Sequence, residues 1–313
     1  MSQLIRRNGS GDLPQGECML RIAIFPNFQK KNALPCAVEV CRRLHVLGGA
    51  VYLDTAYQTE FAALPFVHYG VFSELVSKMD IVIAIGGDGT MLRCAKQMIG
   101  SYAKLLGINT GHLGFMAGLE TDELDELGKL FRGEYFLSQR MMIEGTLYNE
   151  GEPVRFTALN DIAVSGLYGK VFDFSVYADD ALIGRYRADG VVCSTPTGST
   201  AYALSAGGPL MEPELSCMEI ALICPHSLFN RPLLLSADRR VTIRHTAEES
   251  RHVFLSADGE APLAFPAGSC LNISRSVHTV GLISLKNGSF YDAVNRKLMQ
   301  SIKGFSDTAG ELK

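Results

Sequence analysis

The sequence lacks the features that mark several large protein classes. No apolar run among its 313 residues approaches the ~18–20 residues that a membrane-spanning helix needs. Lysine and arginine number 29 against 33 aspartate and glutamate residues, whereas nucleic-acid-binding proteins usually carry a basic face. No Gly-x-x-x-x-Gly-Lys-Ser/Thr segment occurs, which excludes a P-loop enzyme. With 47% hydrophobic residues and a net charge of −4, we expect a soluble globular protein without nucleic-acid or membrane partners.

The cysteines also lack the spacing of a metal site. There are 8, none forms a Cys-x-x-Cys pair, and no histidine cluster accompanies them. We therefore predict reduced, buried thiols in a cytoplasmic protein. Residues 1–18 hold two arginines but no apolar h-region, so we expect a flexible leader rather than a secretory signal.

The first part of the chain alternates between strand and helix patterns. Such alternation predicts a parallel sheet covered by helices, with ligands at the carboxyl ends of the strands. We therefore predict a Rossmann-like α/β domain over residues 19–137. Its predicted strands are Arg21–Phe25, Ala50–Leu53, Ile81–Ile85 and Lys104–Ile108, and its predicted helices are Ala33–Leu47, Val71–Met79 and Asp122–Arg132.

The pattern changes near Ser138 to short strands separated by turn residues. This predicts a mainly antiparallel, β-sandwich-like domain over residues 138–279. A strand at Val280–Leu285 and a helix at Ser289–Met299 then return, we expect, to the first domain. The predicted strands of the second domain are Met141–Tyr148, Ile162–Val164, Phe172–Tyr177, Leu182–Ile183, Val191–Cys193, Ile220–Ile223, Leu233–Leu235, Val241–Arg244, Val253–Leu255 and Leu271–Ser274.

One glycine-rich segment points to phosphate chemistry. The apolar run Ile81–Ile85 leads directly into Gly86-Gly87-Asp88-Gly89-Thr90, and a helical pattern follows from Met91 to Met98. A strand-to-helix turn of this kind offers free backbone N–H groups that attract phosphate. A carboxylate inside such a site indicates phosphoryl transfer. The alternative is that Asp88 is only a helix N-cap, worth about 0.5–2 kcal/mol.

Three further segments carry candidate binding groups. Asn160-Asp161 can bond sugar hydroxyls or form an ordinary Asx turn. Arg187-Ala188-Asp189-Gly190 offers an acid beside a strand, or merely a surface ion pair. Ser194–Pro209 is rich in hydroxyls that suit phosphate or ribose, and Tyr202 offers a ring for a base, although an elaborate helix cap is the alternative.

Together these segments closely resemble the NAD kinase family, whose members phosphorylate NAD to NADP. Gly-Gly-Asp-Gly alone is shared with lipid kinases and phosphofructokinases, but the full set is specific and spans about residues 20–300. The segments that carry the resemblance, in family order, are Gly86–Thr90, Asn109–Phe115, Asn160-Asp161, Asp189-Gly190, Thr195–Tyr202, Cys224–Pro232 and Asp258-Gly259-Glu260.

The resemblance implies that Asp88 is the general base. It would accept the proton of the 2′-hydroxyl on the adenosine ribose as that oxygen attacks the γ-phosphoryl of ATP, or a phosphoryl of polyphosphate, with Mg²⁺ neutralising charge. No dedicated protein metal site is implied. Gly86, Gly87 and Thr90 would form the phosphate loop. The implied NAD-binding residues are Asp88, Gly89, Arg93, Phe115, Asn160, Asp161, Lys170, Arg187, Asp189, Thr200, Ala201, Tyr202, Ala203, Leu204, Ser205 and Glu260.

Two positions depart from the family pattern. Ala188 stands where the family usually has glycine, which narrows backbone freedom slightly. Glu260 stands where glutamine is frequent, and an ionised carboxylate accepts hydrogen bonds but does not donate them. The resemblance also implies a homodimer or homotetramer.

Two other functions remain open at this point. One is a related kinase with a lipid acceptor, which the donor-rich Thr195–Tyr202 segment and Asp189 argue against. The other is a non-catalytic NAD(H)-binding sensor, which the presence of Asp88 argues against. The sequence does not decide between ATP and polyphosphate as donor, or between NAD and NADH as acceptor.

Overall fold

In this computed structural model the chain divides into two units. Unit 1 consists of Met1–Gln139 with Val280–Lys313, and unit 2 consists of Arg140–Thr279. No helix in the described part of the chain is long and apolar enough to cross a membrane. The structure describes residues 3–5, 19–111, 114–149, 151–227, 230–246, 252–286 and 290–297.

The strands of unit 1 are β1 (Gln3–Ile5), β2 (Arg21–Pro26), β3 (Ala50–Asp54), β4 (His68–Gly70), β5 (Ile81–Gly86), β6 (Lys104–Asn109), β7 (Leu119–Glu120) and the first part of β8 (Tyr135–Tyr148). Five of them form a parallel sheet in the order β4-β3-β2-β5-β6. Every residue of β5 is buried, as expected for a central strand with helices on both faces. Residues 280–284 add a strand parallel to β6.

The helices of unit 1 are α1 (Ala33–Val46), α2 (Phe72–Leu75), α3 (Asp88–Gln97) and α4 (Gly128–Arg132). Two are shorter than predicted. Residues from Val71 to Met79 form α2 and a 3₁₀ turn. Residues from Asp122 to Arg132 form a 3₁₀ turn and α4, with Gly128, a weak helix former, at their junction. The core contains one face of α1, formed by Ala33, Cys36, Ala37, Val40, Cys41 and Leu44.

Unit 2 contains two antiparallel sheets and is a β-sandwich. Its strands are the rest of β8, β9 (Val154–Ala158), β10 (Asp161–Gly166), β11 (Phe172–Ala178), β12 (Ala181–Ala188), β13 (Gly190–Ser194), β14 (Cys217–Ile223), β15 (Leu233–Ser236), β16 (Val241–His245), β17 (Val253–Ala257), β18 (Leu263–Ala264) and β19 (Cys270–Ser284). One sheet has the order β12-β11-β16-β19 and the other has the order β15-β14-β13-β10-β17-β18. Apolar side chains of both sheets form one core. The only α-helix described in this unit is α5 (Tyr202–Ser205).

The predicted fold class is confirmed: a parallel-sheet unit, an antiparallel β-unit, and a final strand and helix in the first unit. The helix spans 290–297, and residues 289, 298 and 299 of its predicted range lie outside the described residues.

Several predicted strands were too short. The predicted strands Leu271–Ser274 and Val280–Leu285 are parts of one continuous strand, β19. The predicted strand Leu182–Ile183 is part of β12, so Ala188 lies on a strand rather than in a loop. β8 begins at Tyr135, six residues before the predicted Met141. The additions to β12 include Arg185 and Arg187, because a strand needs no apolar side chain on its solvated face, and those to β19 include Arg275 and Ser276. The additions to β8 include Phe136 and Leu137, which pair with β1.

The predicted leader contains one element. Gln3–Ile5 form β1, which pairs antiparallel with β8 through Ile5 and Tyr135. Residues 1, 2 and 6–18 lie outside the described part of the chain.

Candidate functional site

In unit 1, Asp88 is held by backbone hydrogen bonds from a distant loop. The Phe115 N–H donates to Asp88 Oδ2 at 2.9 Å, and the Met116 N–H donates to Oδ1 at 3.2 Å. The N-cap of α3 is Gly87, not Asp88, so the helix-cap interpretation of Asp88 is wrong. The carboxylate is instead fixed against the loop that follows β6, with its side chain 31% exposed.

Two glycines of the motif border open space, and one is closely packed. A Cβ at Gly87 or Gly89 would meet no atom within 4 Å, whereas a Cβ at Gly86 would lie 2.3 Å from Thr90 Oγ1. Thr90 is 2% exposed, and its hydroxyl oxygen accepts a hydrogen bond from Asn27 Nδ2 at 3.1 Å. Thr90 therefore packs the start of α3 against the end of β5, while Gly87 and Gly89 present backbone to solvent.

A lysine from helix 290–297 also lies beside Asp88. Lys297 Nζ is 3.8 Å from Asp88 Oδ2 and 3.8 Å from the centroid of the Phe115 ring. The other cation predicted for this unit, Arg93, is exposed on α3. No role was predicted for Lys297, because nothing in the sequence relates a residue so near the end of the chain to Asp88.

The second glycine loop of unit 1 starts from a buried asparagine. Asn109 is 1% exposed, and its Nδ2 donates to the Gly111 carbonyl oxygen at 3.1 Å and to Glu120 Oε2 at 3.1 Å. Burial raises the pKa of Glu120, and the hydrogen bond from Asn109 opposes that effect. His112 and Leu113 of this loop lie outside the described residues.

In unit 2, Asp258 orders the backbone that carries Asn160 and Asp161. Its carboxylate accepts three backbone N–H bonds, from Leu159 at 2.9 Å, from Asn160 at 2.7 Å and from Asp161 at 3.1 Å. Asp258 itself has a φ of 51°, in the left-handed region that aspartate tolerates better than most residues. Asp258 belongs to a segment that carries the family resemblance, but no role was predicted for it, and its partners lie nearly a hundred residues away in the chain.

The Asn160 side chain does not form the Asx turn that was the alternative to ligand binding. Its Oδ1 is buried and has no hydrogen-bond partner among the described residues. An unpaired buried polar atom is unfavourable, so this oxygen is suited to a donor from a ligand.

Asp161 is a buried acid with a strongly shifted proton affinity. It is 6% exposed, and its pKa is raised to about 7, first because burial disfavours the charged form and second because Asp258 carries negative charge. A hydrogen bond from the Tyr202 backbone N–H opposes this shift.

Much of the hydroxyl-rich loop is structural. Gly198 N–H donates to Thr195 Oγ1 at 3.1 Å, and Ser199 Oγ donates to the Pro196 carbonyl at 2.8 Å. A Cβ at Gly198 would lie 2.1 Å from the Asn160 carbonyl oxygen, so only glycine permits this approach. Several predicted ligand hydroxyls therefore stabilise the loop, while Thr197 Oγ1 is buried without a described partner.

Tyr202 interacts electrostatically with two predicted acids of unit 2, Asp161 and Asp189. Tyr202 is 41% exposed at the start of α5. Its pKa is raised mainly by burial, and then by electrostatic interactions with Asp161, Cys224 and Asp189. An exposed ring near acidic side chains suits a planar ligand that carries hydrogen-bond donors.

The remaining predicted residues of unit 2 are mostly peripheral. Arg187 is exposed on β12 and forms no ion pair with Asp189 in the described structure, so the surface-pair interpretation is wrong. Lys170 and Glu260 are exposed, and the Ser256 hydroxyl donates to the Glu260 carbonyl oxygen at 3.0 Å. Thr200, Ala201, Leu204 and Ser205 are accessible around Tyr202, whereas Ala203 is buried. Leu228 and Phe229 of the Cys224–Pro232 segment lie outside the described residues.

Comparison with known proteins gives matches along most of the chain. Residues 22–135 match the family described as ATP-NAD kinase N-terminal domain, and residues 159–285 match the ATP-NAD kinase C-terminal domain. The chain is similar to the NAD kinase of Symbiobacterium thermophilum, with 37% identity over 90% of this chain and 99% of the relative.

Two solved structures share the fold. Yeast NADH kinase complexed with NADH superposes with a TM-score of 0.82 and 23% identity, covering 90% of this chain and 87% of that chain. An NAD kinase from Archaeoglobus fulgidus in complex with ATP gives a TM-score of 0.65 and 23% identity, covering 91% and 98%. The family matches, together with the identity along nearly the whole length of a relative, show that the chain belongs to the NAD kinase family of phosphotransferases.

Proposed function

We propose that this protein transfers the γ-phosphoryl group of ATP, or a phosphoryl group of polyphosphate, to the 2′-hydroxyl of the adenosine ribose of NAD, giving NADP. The observation that carries the proposal is the fixed Asp88 carboxylate at the start of α3. Two backbone N–H groups orient it, and the open backbone of Gly87 and Gly89 lies on either side of it in the chain.

Asp88 has the capacity to act as the general base. Each of its oxygens accepts one backbone N–H bond, and a carboxylate oxygen has a further lone pair for a proton. The 2′-oxygen would attack the γ-phosphorus as its proton moves to Asp88, and the bond from that phosphorus to the bridging oxygen would break to release ADP. A positioned base typically contributes about 10²–10⁴-fold.

Most of the remaining acceleration is expected from positioning and charge neutralisation, because the transferring phosphoryl group is loosely bonded in the transition state. The described residues contain no cluster of three or more His, Cys, Asp or Glu side chains suited to a metal ion. We propose that a cation arrives with the donor, because Mg²⁺ is commonly bound by substrate phosphates with only one or two carboxylates. When bound, it would neutralise the phosphate charge.

Unit 2 is proposed to bind the dinucleotide. Asn160 Oδ1 and Thr197 Oγ1 are buried atoms without partners in the described structure, and Tyr202 offers an exposed ring beside Asp161 and Asp189. We assign the ribose hydroxyls to Asn160 and Asp161, and a base to the face of Tyr202. Asp189 is assigned to the nicotinamide amide.

The acceptor and donor are best identified in one assay. Purified protein is incubated with Mg²⁺ and each combination of NAD or NADH with ATP or polyphosphate, and the phosphorylated dinucleotide is measured. The yeast structure holds NADH and the Archaeoglobus fulgidus structure holds ATP, which supports including NADH as an acceptor and ATP as a donor. We expect product with NAD and ATP. NAD binding without product from any pair would favour the non-catalytic sensor instead.

We also propose a cytoplasmic homodimer or homotetramer, as the family resemblance implies. Light scattering of the purified protein tests the assembly, and a monomer at working concentration would contradict it.

A further inference from the structure

The contact between Lys297 and Asp88 extends the candidate site to helix 290–297 of unit 1. Among the described residues, Lys297 is the only cation within 4 Å of the Asp88 carboxylate, at 3.8 Å from Oδ2. The side chains are 29% and 31% exposed respectively, so both are partly screened from water. Lys297 belongs to helix 290–297, about two hundred residues after Asp88.

A second contact fixes the lysine. Its ammonium group lies 3.8 Å from the centroid of the Phe115 ring, well within the ~6 Å range of a cation–π interaction. The backbone N–H of the same Phe115 donates to Asp88 Oδ2. Phe115 therefore contacts the carboxylate through its backbone N–H and the ammonium group through its ring, so one residue positions both charged groups.

This arrangement restricts the carboxylate in a way that its backbone contacts alone do not. The two N–H donors come from adjacent residues, Phe115 and Met116, and so approach from the same loop. The ammonium group comes from a different element and attracts the same oxygen that Phe115 contacts. Restricting a catalytic group in this way matters because a displacement of about 1 Å can lower a rate about 10²-fold.

We propose that Lys297 is a positioning residue for Asp88, and that helix 290–297 is thereby part of the catalytic apparatus. The inference rests on the proposed function, since it assigns Lys297 a role through the proposed base. Lys297 acts on the orientation of Asp88 and need not touch either substrate.

The test compares three variants with the wild type. Lys297→Met removes the charge at similar length, Lys297→Arg keeps the charge and the ring contact, and Arg296→Met is a matched control. Arg296 is exposed on the same helix, and its Nε donates to the Asp292 carbonyl oxygen at 3.4 Å. For each protein, kcat, the KM for each substrate and the Tm are measured with the best donor–acceptor pair.

For Lys297→Met we expect kcat to fall about tenfold, equivalent to ~1.4 kcal/mol in the barrier, with both KM values within about twofold. Lys297→Arg is expected to recover most of kcat, and Arg296→Met to leave it unchanged. The Tm of Lys297→Met is expected to change no more than that of the control.

A fourth variant tests whether Phe115 positions both charged groups. Phe115→Leu keeps the backbone donor but removes the ring, so it should also lower kcat. Combined with Lys297→Met it should cost less than the product of the two single effects, because the residues act on Asp88 as a unit. If the two single effects on kcat multiply fully in the double variant, Phe115 and Lys297 act independently, which would contradict their joint action on Asp88.

Other outcomes would overturn the proposal. An unchanged kcat in Lys297→Met would exclude a positioning role. A raised KM for ATP at constant kcat would make Lys297 a donor-binding residue instead. A lowered Tm with no recovery in Lys297→Arg would make it merely structural. A wild type without activity on any pair would overturn the proposed function and this inference together.

Discussion

Gly114 lies directly against Asp88: a Cβ at position 114 would be 2.1 Å from Asp88 Oδ1. Because the next two residues donate their N–H groups to the same carboxylate, the loop after β6 approaches the end of Asp88 closely. The absence of a side chain at residue 114 therefore contributes to the orientation of the proposed base.

Gly114→Ala is expected to displace the Asp88 carboxylate and lower kcat about 10²-fold. The displaced group is the end of a side chain, so the fold should survive, with a Tm close to that of the wild type. Steady-state kinetics and thermal unfolding measure the two effects.

Gly111→Ala is the matched control for this change. Gly111 is exposed in the same loop, and a Cβ there would meet no atom within 4 Å. Equal loss of activity in both variants would show that loop flexibility, rather than contact with Asp88, sets the rate.

Asp258 should be important to unit 2 because it accepts three backbone N–H bonds. Asp258→Asn keeps a residue that tolerates the left-handed backbone, but places an amide donor against one of those N–H groups. We expect a loss of about 1–3 kcal/mol in the free energy of unfolding, measured by urea denaturation, together with weaker NAD binding.

Asp179→Asn provides the control, because Asp179 has a φ of 52° and also accepts a backbone N–H, from Arg240 at 3.0 Å. It lies at an exposed turn, so its substitution should have a smaller effect on unfolding and none on NAD binding. A larger effect at Asp179 than at Asp258 would contradict the role given to Asp258.

The raised pKa of Asp161 predicts that the free energy of unfolding depends on pH. In the folded protein its pKa is raised to about 7 from the model-compound value of 3.8, so between these values the folded state binds more protons than the unfolded state. The stability it contributes is complete below pH ~4 and is lost as pH rises through ~7. The full change is about 4 kcal/mol at most.

Asp161→Asn should remove this dependence. The free energy of unfolding of the variant, relative to the wild type, is therefore expected to increase between pH 4 and pH 8. Urea denaturation across this range measures it. A difference that stays constant with pH would show that Asp161 remains ionised when the protein folds.

The sequence predicts features that depend on neighbouring residues better than contacts between residues far apart in the chain. The apolar run of β5 and the glycines after it place Asp88 at the start of a helix, because these signals lie within about ten residues. Burial of a helix face and alternation along strands likewise follow from short-range periodicity, which is why the fold class could be predicted.

The contacts of the candidate site depend on residues far apart in the chain. Phe115 reaches Asp88 across 27 residues, and Asp258 reaches Leu159 across 99. Lys297 is more distant still. No local pattern encodes such pairs. Asp258 was therefore recognised only as part of a family motif, and Lys297 was not predicted to belong to the site. The same limit explains why the hydroxyls of Thr195 and Ser199 were taken as ligand donors, although the Thr195 hydroxyl donates to the Leu159 carbonyl oxygen and the Ser199 hydroxyl donates to the Pro196 carbonyl oxygen.

Asp88→Asn tests whether Asp88 is the general base. Asparagine keeps the size of the side chain and one oxygen acceptor but does not accept a proton at neutral pH. NADP formation and the Kd for NAD are measured on the wild type and the variant in parallel. We predict that kcat falls about 10²–10⁴-fold while the Kd for NAD changes less than about threefold. A kcat within about threefold of the wild type would contradict the assignment of Asp88 as the base.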